Sequence, residues 1–200
     1  MRISFKHKLI AVSIPKCGSH SMFKLMEDNF DGINYGSFHG VVVPDYAVDY
    51  TAFTFVRNPY SRAVSIYNTI ADPGDGSDIM RLINHEFYKR EVEDLEFETF
   101  CGWLGNCPEE SIIYEFSTSQ YDHLAESNIT DIYTIKIDEK PLERLNDFLS
   151  DNNLHMIYEL PHELDRSFEE SYFKDNEECI KLINSWAGQD FKTYNYKKIL

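Results

Sequence analysis

The stretch Ile14-Pro15-Lys16-Cys17-Gly18-Ser19-His20-Ser21-Met22 gathers the groups that bind an anion. Lys16 brings a full positive charge. Ser19, His20 and Ser21 bring side-chain donors. The apolar run from Leu9 to Ile14 reads as a buried strand, and Ser21 to Met26 reads as a helix. A tight loop between strand and helix leaves the first helical amides without intrahelical acceptors, and the helix dipole adds partial positive charge there. The same residues also suit an ordinary strand-to-helix loop, in which Gly18 makes the turn and Ser19 caps the helix. Cys17 reads as a small packing residue. A nucleoside-triphosphate loop fits poorly, because it needs lysine directly after its second glycine and before Ser or Thr. Here Lys16 precedes Gly18, and Gly-Lys-Ser/Thr occurs nowhere.

A second candidate anchor is Phe55-Val56-Arg57-Asn58-Pro59-Tyr60-Ser61-Arg62-Ala63-Val64-Ser65. Asn58 suits a helix cap and Pro59 a first helical residue. Arg57 therefore leaves a strand end, while Ser61 and Ser65, four apart, share a helix face. A guanidinium matches a phosphate fork, and a serine hydroxyl adds a hydrogen bond. The structural alternatives are an Arg57–carboxylate pair and a buried helical hydroxyl at Ser65.

The elements around these residues alternate. Strands are expected at Leu9–Ile14, at Ile33 to His39, at Ala52–Val56 and at Ile132–Ile137. Helices are expected after the first loop, from Pro44 to Tyr50, from Tyr60 to Ile70, at 79–94 and 97–105, from Pro141 to Leu149, and at 175–187. Hairpin signals are scarce, which implies an α/β fold: a mostly parallel central sheet flanked by helices in three layers. Ligands in such folds sit beyond the carboxyl ends of strands, where the Lys16 loop and Arg57 both fall. Asp72-Pro73-Gly74-Asp75-Gly76-Ser77 reads as a loop and a candidate lid, and Pro161 to Ser167 as a second polar loop.

Composition narrows the function classes. The chain is 42% hydrophobic and 14% aromatic, which suits one folded domain over residues 1–200. Net charge is −15, unevenly spread. Residues 1–70 hold 7 Lys/Arg and 5 Asp/Glu, whereas residues 71–200 hold 12 and 29. Such an acidic body repels nucleic acid and polyanionic glycosaminoglycans, while a small anion in a local basic pocket stays compatible. No apolar run reaches the ~18 residues of a membrane span, and no cleavable leader is apparent, so a cytoplasmic protein is the expectation. Cys17, Cys101, Cys107 and Cys179 have no metal-ligand spacing and are expected as free thiols; no metal is expected.

Taken together, P-K-x-G-S-x-S after the first strand and F-V-R-N-P-x-x-R-x-x-S after a later one resemble the sulfotransferase family, in its carbohydrate-type and bacterial branch. Weaker likenesses follow along most of the chain: Phe97 to Leu104, Ser119-Gln120-Tyr121, Leu160-Pro161-His162, and Asp190 to Tyr196. The resemblance implies a P-loop-like sulfotransferase fold. It implies sulfuryl transfer from 3′-phosphoadenosine 5′-phosphosulfate to a hydroxyl or amine of a carbohydrate or small-molecule acceptor, by in-line displacement, with release of 3′,5′-adenosine bisphosphate. Pro15, Lys16, Cys17, Gly18, Ser19, His20, Ser21 and Met22 then form the 5′-phosphosulfate loop, with Lys16 also serving the leaving oxygen and Ser19 binding non-bridging oxygens. Arg57 and Ser65 hold the 3′-phosphate. His20 stands where the family more often has Ser or Thr, and it keeps a donor. Family members place a basic histidine after the second strand, which makes His39 the candidate catalytic base; an imidazole pKa near neutrality suits that task. His162 and Glu163 are candidates for the acceptor side, and Trp103 for ring stacking. Two other classes keep a place. A small-molecule kinase or nucleotide phosphotransferase is opposed by the missing Gly-Lys-Ser/Thr. A non-catalytic nucleotide-binding module is opposed by the full set Lys16, His39, Arg57 and Ser65.

Overall fold

The computed structural model describes residues 1–71, 96–111, 114–161, 172–174 and 176–199. The expected loop at 72–77, the helix at 79–94, and His162 and Glu163 lie outside the described residues. The chain divides into two compact units, Met1–Asn58 with Gln120–Arg166, and Pro59–Ser119 with Ser167–Leu200.

The first unit is built on a five-stranded sheet. Its strands are β1 (Arg2–Ser4), β2 (Leu9–Val12), β3 (Ile33–Asn34), β4 (Thr51–Val56) and β5 (Tyr133–Lys136), ordered β3-β1-β2-β4-β5. The core pairs β2–β4 and β4–β5 are parallel, with Val12 opposite Thr54 and Thr54 opposite Thr134. All four residues of β2 are buried, as a central strand covered on both faces requires. The expected α/β class holds, but the sheet is mixed. β1 folds back on β2 as an antiparallel hairpin, with Ile3 opposite Ile10, and β3 pairs antiparallel with β1. The turn closes at Lys8, whose φ is 50°.

Side chains alternate across the strands and so line two cores. Leu9, Ala11, Phe53, Phe55 and Ile135 pack with Met22, Phe23, Leu25, Met26 and Phe30 of α1 (Ser19–Phe30). Leu145, Phe148 and Leu149 of the helix Pro141–Asp151 complete that layer. On the other face, Ile3, Ile10, Val12 and Ala52 pack with Val41, Val43, Ile129 and Ala47 of a 3-10 turn (Asp45–Ala47). This turn stands where a short helix from Pro44 to Tyr50 was expected.

The second strand is shorter than its sequence suggests. β3 stops at Asn34, both its residues are exposed, and Gly36 turns the chain at φ 65°. A further turn follows, in which the Gly40 amide donates to the Ser37 carbonyl (3.1 Å). His39 therefore rides on a turn, five residues beyond the strand, rather than at its end.

The second unit is helical. It contains α2 (Pro59–Ala71), α3 (Phe97–Leu104), a single turn α4 (Tyr114–Ser117), and two C-terminal helices, Glu177–Trp186 and Gly188–Thr193. Pro59 does open α2, where its missing N–H costs nothing. Arg62 on α2 is fully buried. Its guanidinium donates to the carbonyls of Thr118 (2.9 Å) and Phe116 (3.4 Å), and it lies 5.3 Å from the Trp186 ring centre. The four cysteines are free thiols. Cys101 is hydrogen-bonded to Cys179, and burial pushes both thiols above their usual range.

Candidate functional site

The Lys16 loop begins with a turn. The Cys17 amide donates to the Ile14 carbonyl (3.2 Å), with Lys16 at φ 65° and Gly18 at φ 79°. Glycine adopts this left-handed conformation freely, but for lysine it costs about 1–2 kcal/mol. A strained lysine at the mouth of a helix is the kind of feature that function retains.

Gly18, not Ser19, occupies the helix cap, and no side chain caps the first turn. Ser19 differs from expectation for a specific reason. Its hydroxyl proton is committed inward, to the Ile14 carbonyl at 3.0 Å. Ser19 can therefore offer an anion its backbone amide but not its hydroxyl proton. The amides of Ser19, His20 and Ser21 head the helix and have no intrahelical acceptor. The Ser21 hydroxyl is buried and makes no hydrogen bond. A buried hydroxyl left so costs about 1–3 kcal/mol unless a ligand completes it. His20 is exposed, with its ring 5.3 Å from that of Phe38. Pro15 is buried; Met22 belongs to the core, and its amide donates to the Gly18 carbonyl.

Arg57 follows β4 directly, and β4 is the sheet neighbour of β2. The two strand-end loops therefore emerge side by side. Hydrogen bonds join them. Arg57 Nη1 donates to the Lys16 carbonyl (3.3 Å). Gln120, fully buried, grips the Arg57 peptide from both sides: its Oε1 accepts from the Arg57 amide (2.8 Å) and its Nε2 donates to the Arg57 carbonyl (2.9 Å). The same Oε1 accepts from Cys17 Sγ (3.1 Å), which makes Cys17 a buried tie between the loops, in keeping with its reading as a packing residue. Gln120 opens a short helix, Gln120–Ala125. Sequence reasoning assigned it no role; the only signal was the weak Ser119-Gln120-Tyr121 likeness.

His39 is tied to the strand end that leads into the Lys16 loop. Its Nδ1 lies 2.8 Å from Ser13 Oγ and 3.4 Å from the Ser13 carbonyl. Ser13 stands three residues before Lys16, just past the end of β2. Arg57 and His39 are thus each tied to the segment that carries Lys16, within one unit. Ser65 belongs to the second unit, half-buried on α2, with its carbonyl accepting from Thr69 Oγ1 (2.8 Å). Ser61 is buried one turn earlier. Trp103 is half-buried, its ring 5.9 Å from Phe100 and near parallel to it. Among the described residues, no group of three or more His, Cys, Asp or Glu side chains is placed to hold a metal ion. Nor does any helix among them have the length and apolarity to cross a membrane.

A family model described as the sulfotransferase family matches residues 1–197. No curated protein and no solved structure gave a match.

Proposed function

The chain belongs to the sulfotransferase family, and we propose that it takes its sulfuryl group from 3′-phosphoadenosine 5′-phosphosulfate and delivers it to a hydroxyl or amine of a carbohydrate or small-molecule acceptor. The family match over nearly the whole chain supports reading residues 1–200 as one catalytic domain. The observation that carries the donor assignment is the joining of two basic loops at adjacent parallel strand ends, through Gln120 and the Arg57–Lys16 bond. A donor with phosphates at two separate positions needs two such anchors.

The residues present fit that donor. The Ser19, His20 and Ser21 amides, the unpartnered Ser21 hydroxyl and the Lys16 ammonium suit its phosphosulfate end. Arg57 suits the 3′-phosphate, and Ser65 is carried as its companion by the motif spacing. When bound, the donor supplies the sulfuryl group and a phosphate leaving group, so the acceptor atom gains the sulfur and the electron pair of the broken bond stays on phosphate.

The chain's own contributions are positioning and electrostatics. His39 removes the acceptor's proton through its ring nitrogen. Lys16, at the strained left-handed position of the loop, offsets the negative charge that develops at the leaving oxygen. The helix amides are fixed before reaction and need no reorganisation.

Titration calorimetry with 3′,5′-adenosine bisphosphate and with ATP tests the donor assignment. The bisphosphate is expected to bind at least ten times more tightly than ATP, and Arg57→Ala to remove that preference. Equal affinity for the two nucleotides, or an undiminished bisphosphate affinity in Arg57→Ala, rejects it.

A further inference from the structure

Ser13 lies just past β2, fully buried, and no motif singles it out. Its hydroxyl stands between two groups: the Phe38 carbonyl at 2.8 Å and His39 Nδ1 at 2.8 Å. A hydroxyl has one proton to give, and a carbonyl can only accept. With the Ser13 proton on the Phe38 carbonyl, Ser13 Oγ must accept from His39, which places a proton on Nδ1. The Ser13 carbonyl, 3.4 Å from the same nitrogen, favours the same arrangement. The opposite tautomer would aim the Nδ1 lone pair at that carbonyl.

The surroundings hold Ser13 still. The buried His123 reaches the Ser13 carbonyl through Nε2 (3.2 Å). The Thr54 hydroxyl donates to the carbonyl of Val12, the preceding residue (2.8 Å). The Met1 nitrogen also donates to the Phe38 carbonyl (2.9 Å), which fixes the far end of the chain of bonds.

We propose that Ser13 is a positioning residue for the reaction: through the relay from Phe38 carbonyl to Ser13 hydroxyl to His39 Nδ1, it holds His39 in the tautomer whose lone pair is on Nε2. That is the nitrogen that takes the acceptor's proton. Once protonated, the ring still donates from Nδ1 to Ser13, so the relay stabilises the imidazolium without any rearrangement. A neutral relay does here what a carboxylate does behind the histidine of a hydrolase. The assignment rests on His39 as the base, and it deepens that reading by naming the active nitrogen and what selects it.

Long-range proton–nitrogen correlation spectra of the full-length ¹⁵N-labelled chain, above the imidazole pKa, read each tautomer directly, with the His39 signals identified from their loss in His39→Gln. Wild-type His39 is expected as the Nδ1–H form. Ser13→Ala is expected to lose that preference, with kcat down by about tenfold or more and KM little changed, inside the roughly 10²–10⁴ a positioned base contributes. Ser13→Thr, which keeps the hydroxyl, is expected to restore both tautomer and kcat. An Nε2–H tautomer in the wild type overturns the proposal, as does an unchanged tautomer in Ser13→Ala. The spectrum needs neither donor nor turnover. A correct tautomer in a chain that fails to bind the bisphosphate would refute the donor assignment and leave the relay standing.

Discussion

Replacing Gln120 with leucine separates the two loops while keeping the volume of the core nearly constant. The wild-type amide bonds the Arg57 N–H at 2.8 Å, the Arg57 carbonyl at 2.9 Å and Cys17 Sγ at 3.1 Å. Each ordinary hydrogen bond contributes about 0.5–1.5 kcal/mol net, and a buried backbone group left unsatisfied costs about 1–3 kcal/mol. Arg57 is half-buried, so water can reach part of its peptide and the lower end of each range applies. The thiol bond is weak and adds little. The expected loss is therefore roughly 2–4 kcal/mol, near the upper end for single substitutions. In a chain of this size that lowers the melting temperature by about 5–15 °C. The functional effect should exceed the structural one. Arg57 would lose the clamp that aims it, and misplacement by about 1 Å costs on the order of a hundredfold where geometry matters. Gln120→Glu is the sharper companion. Its carboxylate still accepts from the Arg57 amide but cannot donate to the Arg57 carbonyl. Thermal melts give the first number, and calorimetry with 3′,5′-adenosine bisphosphate below the melting range gives the second. A Gln120→Leu variant that melts low yet binds the bisphosphate with wild-type affinity would show that the clamp holds the fold and not the anion site.

Other outcomes follow from the same contacts. Lys16→Gly relieves the left-handed backbone at φ 65°, so transfer should fall by at least 10²-fold while the melting temperature holds or rises; a drop in melting temperature would contradict the strain. His39→Gln should lower kcat by roughly 10²–10⁴ with bisphosphate affinity unchanged, since a base contributes to the chemical step and not to donor binding; a parallel loss of affinity argues against the role. Burial holds the Cys101 and Cys179 thiols protonated in the folded chain, whereas in the unfolded chain they ionise near pH 9.0. The folded state therefore binds more protons above that pH, and stability should decline as pH rises past about 9. The double variant Cys101→Ala/Cys179→Ala should show a shallower decline, read by denaturant melts across pH 7–11.

How much of this was legible in the sequence depends on distance along the chain. The Lys16 loop and the Arg57 junction are local signals: an apolar strand, a basic residue at its end, then a helix, all within about a dozen residues. Their positions followed from that pattern, and so did the α/β class. The groups that tie them together are not local. Gln120 lies 63 residues from Arg57 and 103 from Cys17. It opens a short polar helix with no periodicity to mark it. Ser13 reads as the last polar residue of a strand, and nothing nearby announces a histidine 26 positions on. β1 escaped because three residues carry no alternation of their own; it exists because the Lys8 turn sets Ile3 against Ile10. His39 was placed at a strand end because Ile33 to Phe38 looks β-like, but exposure and Gly36 take the chain off the sheet first.

The motif around Arg57 shows why spacing alone could not finish the assignment. Arg57 and Arg62 stand five apart, with Ser61 and Ser65 in the same motif, and either guanidinium matches a phosphate fork. Burial separates them. Arg62 is fully buried and meets the Phe116 and Thr118 carbonyls and the Trp186 ring, groups that fix a helix in its unit. Carbonyl dipoles and an aromatic face replace the water that burial removes from such a guanidinium. Arg57 is only half-buried, and its peptide is gripped by Gln120 while its guanidinium bonds the neighbouring loop. One arginine is held at its head and belongs to the architecture. The other is gripped at its peptide by Gln120 and through Nη1 by the Lys16 carbonyl, in the pair of loops proposed to take the anion. Arg62→Met should therefore lower the melting temperature without changing the bisphosphate affinity of the folded fraction, and Arg57→Met should do the reverse; the opposite pairing would exchange the two roles.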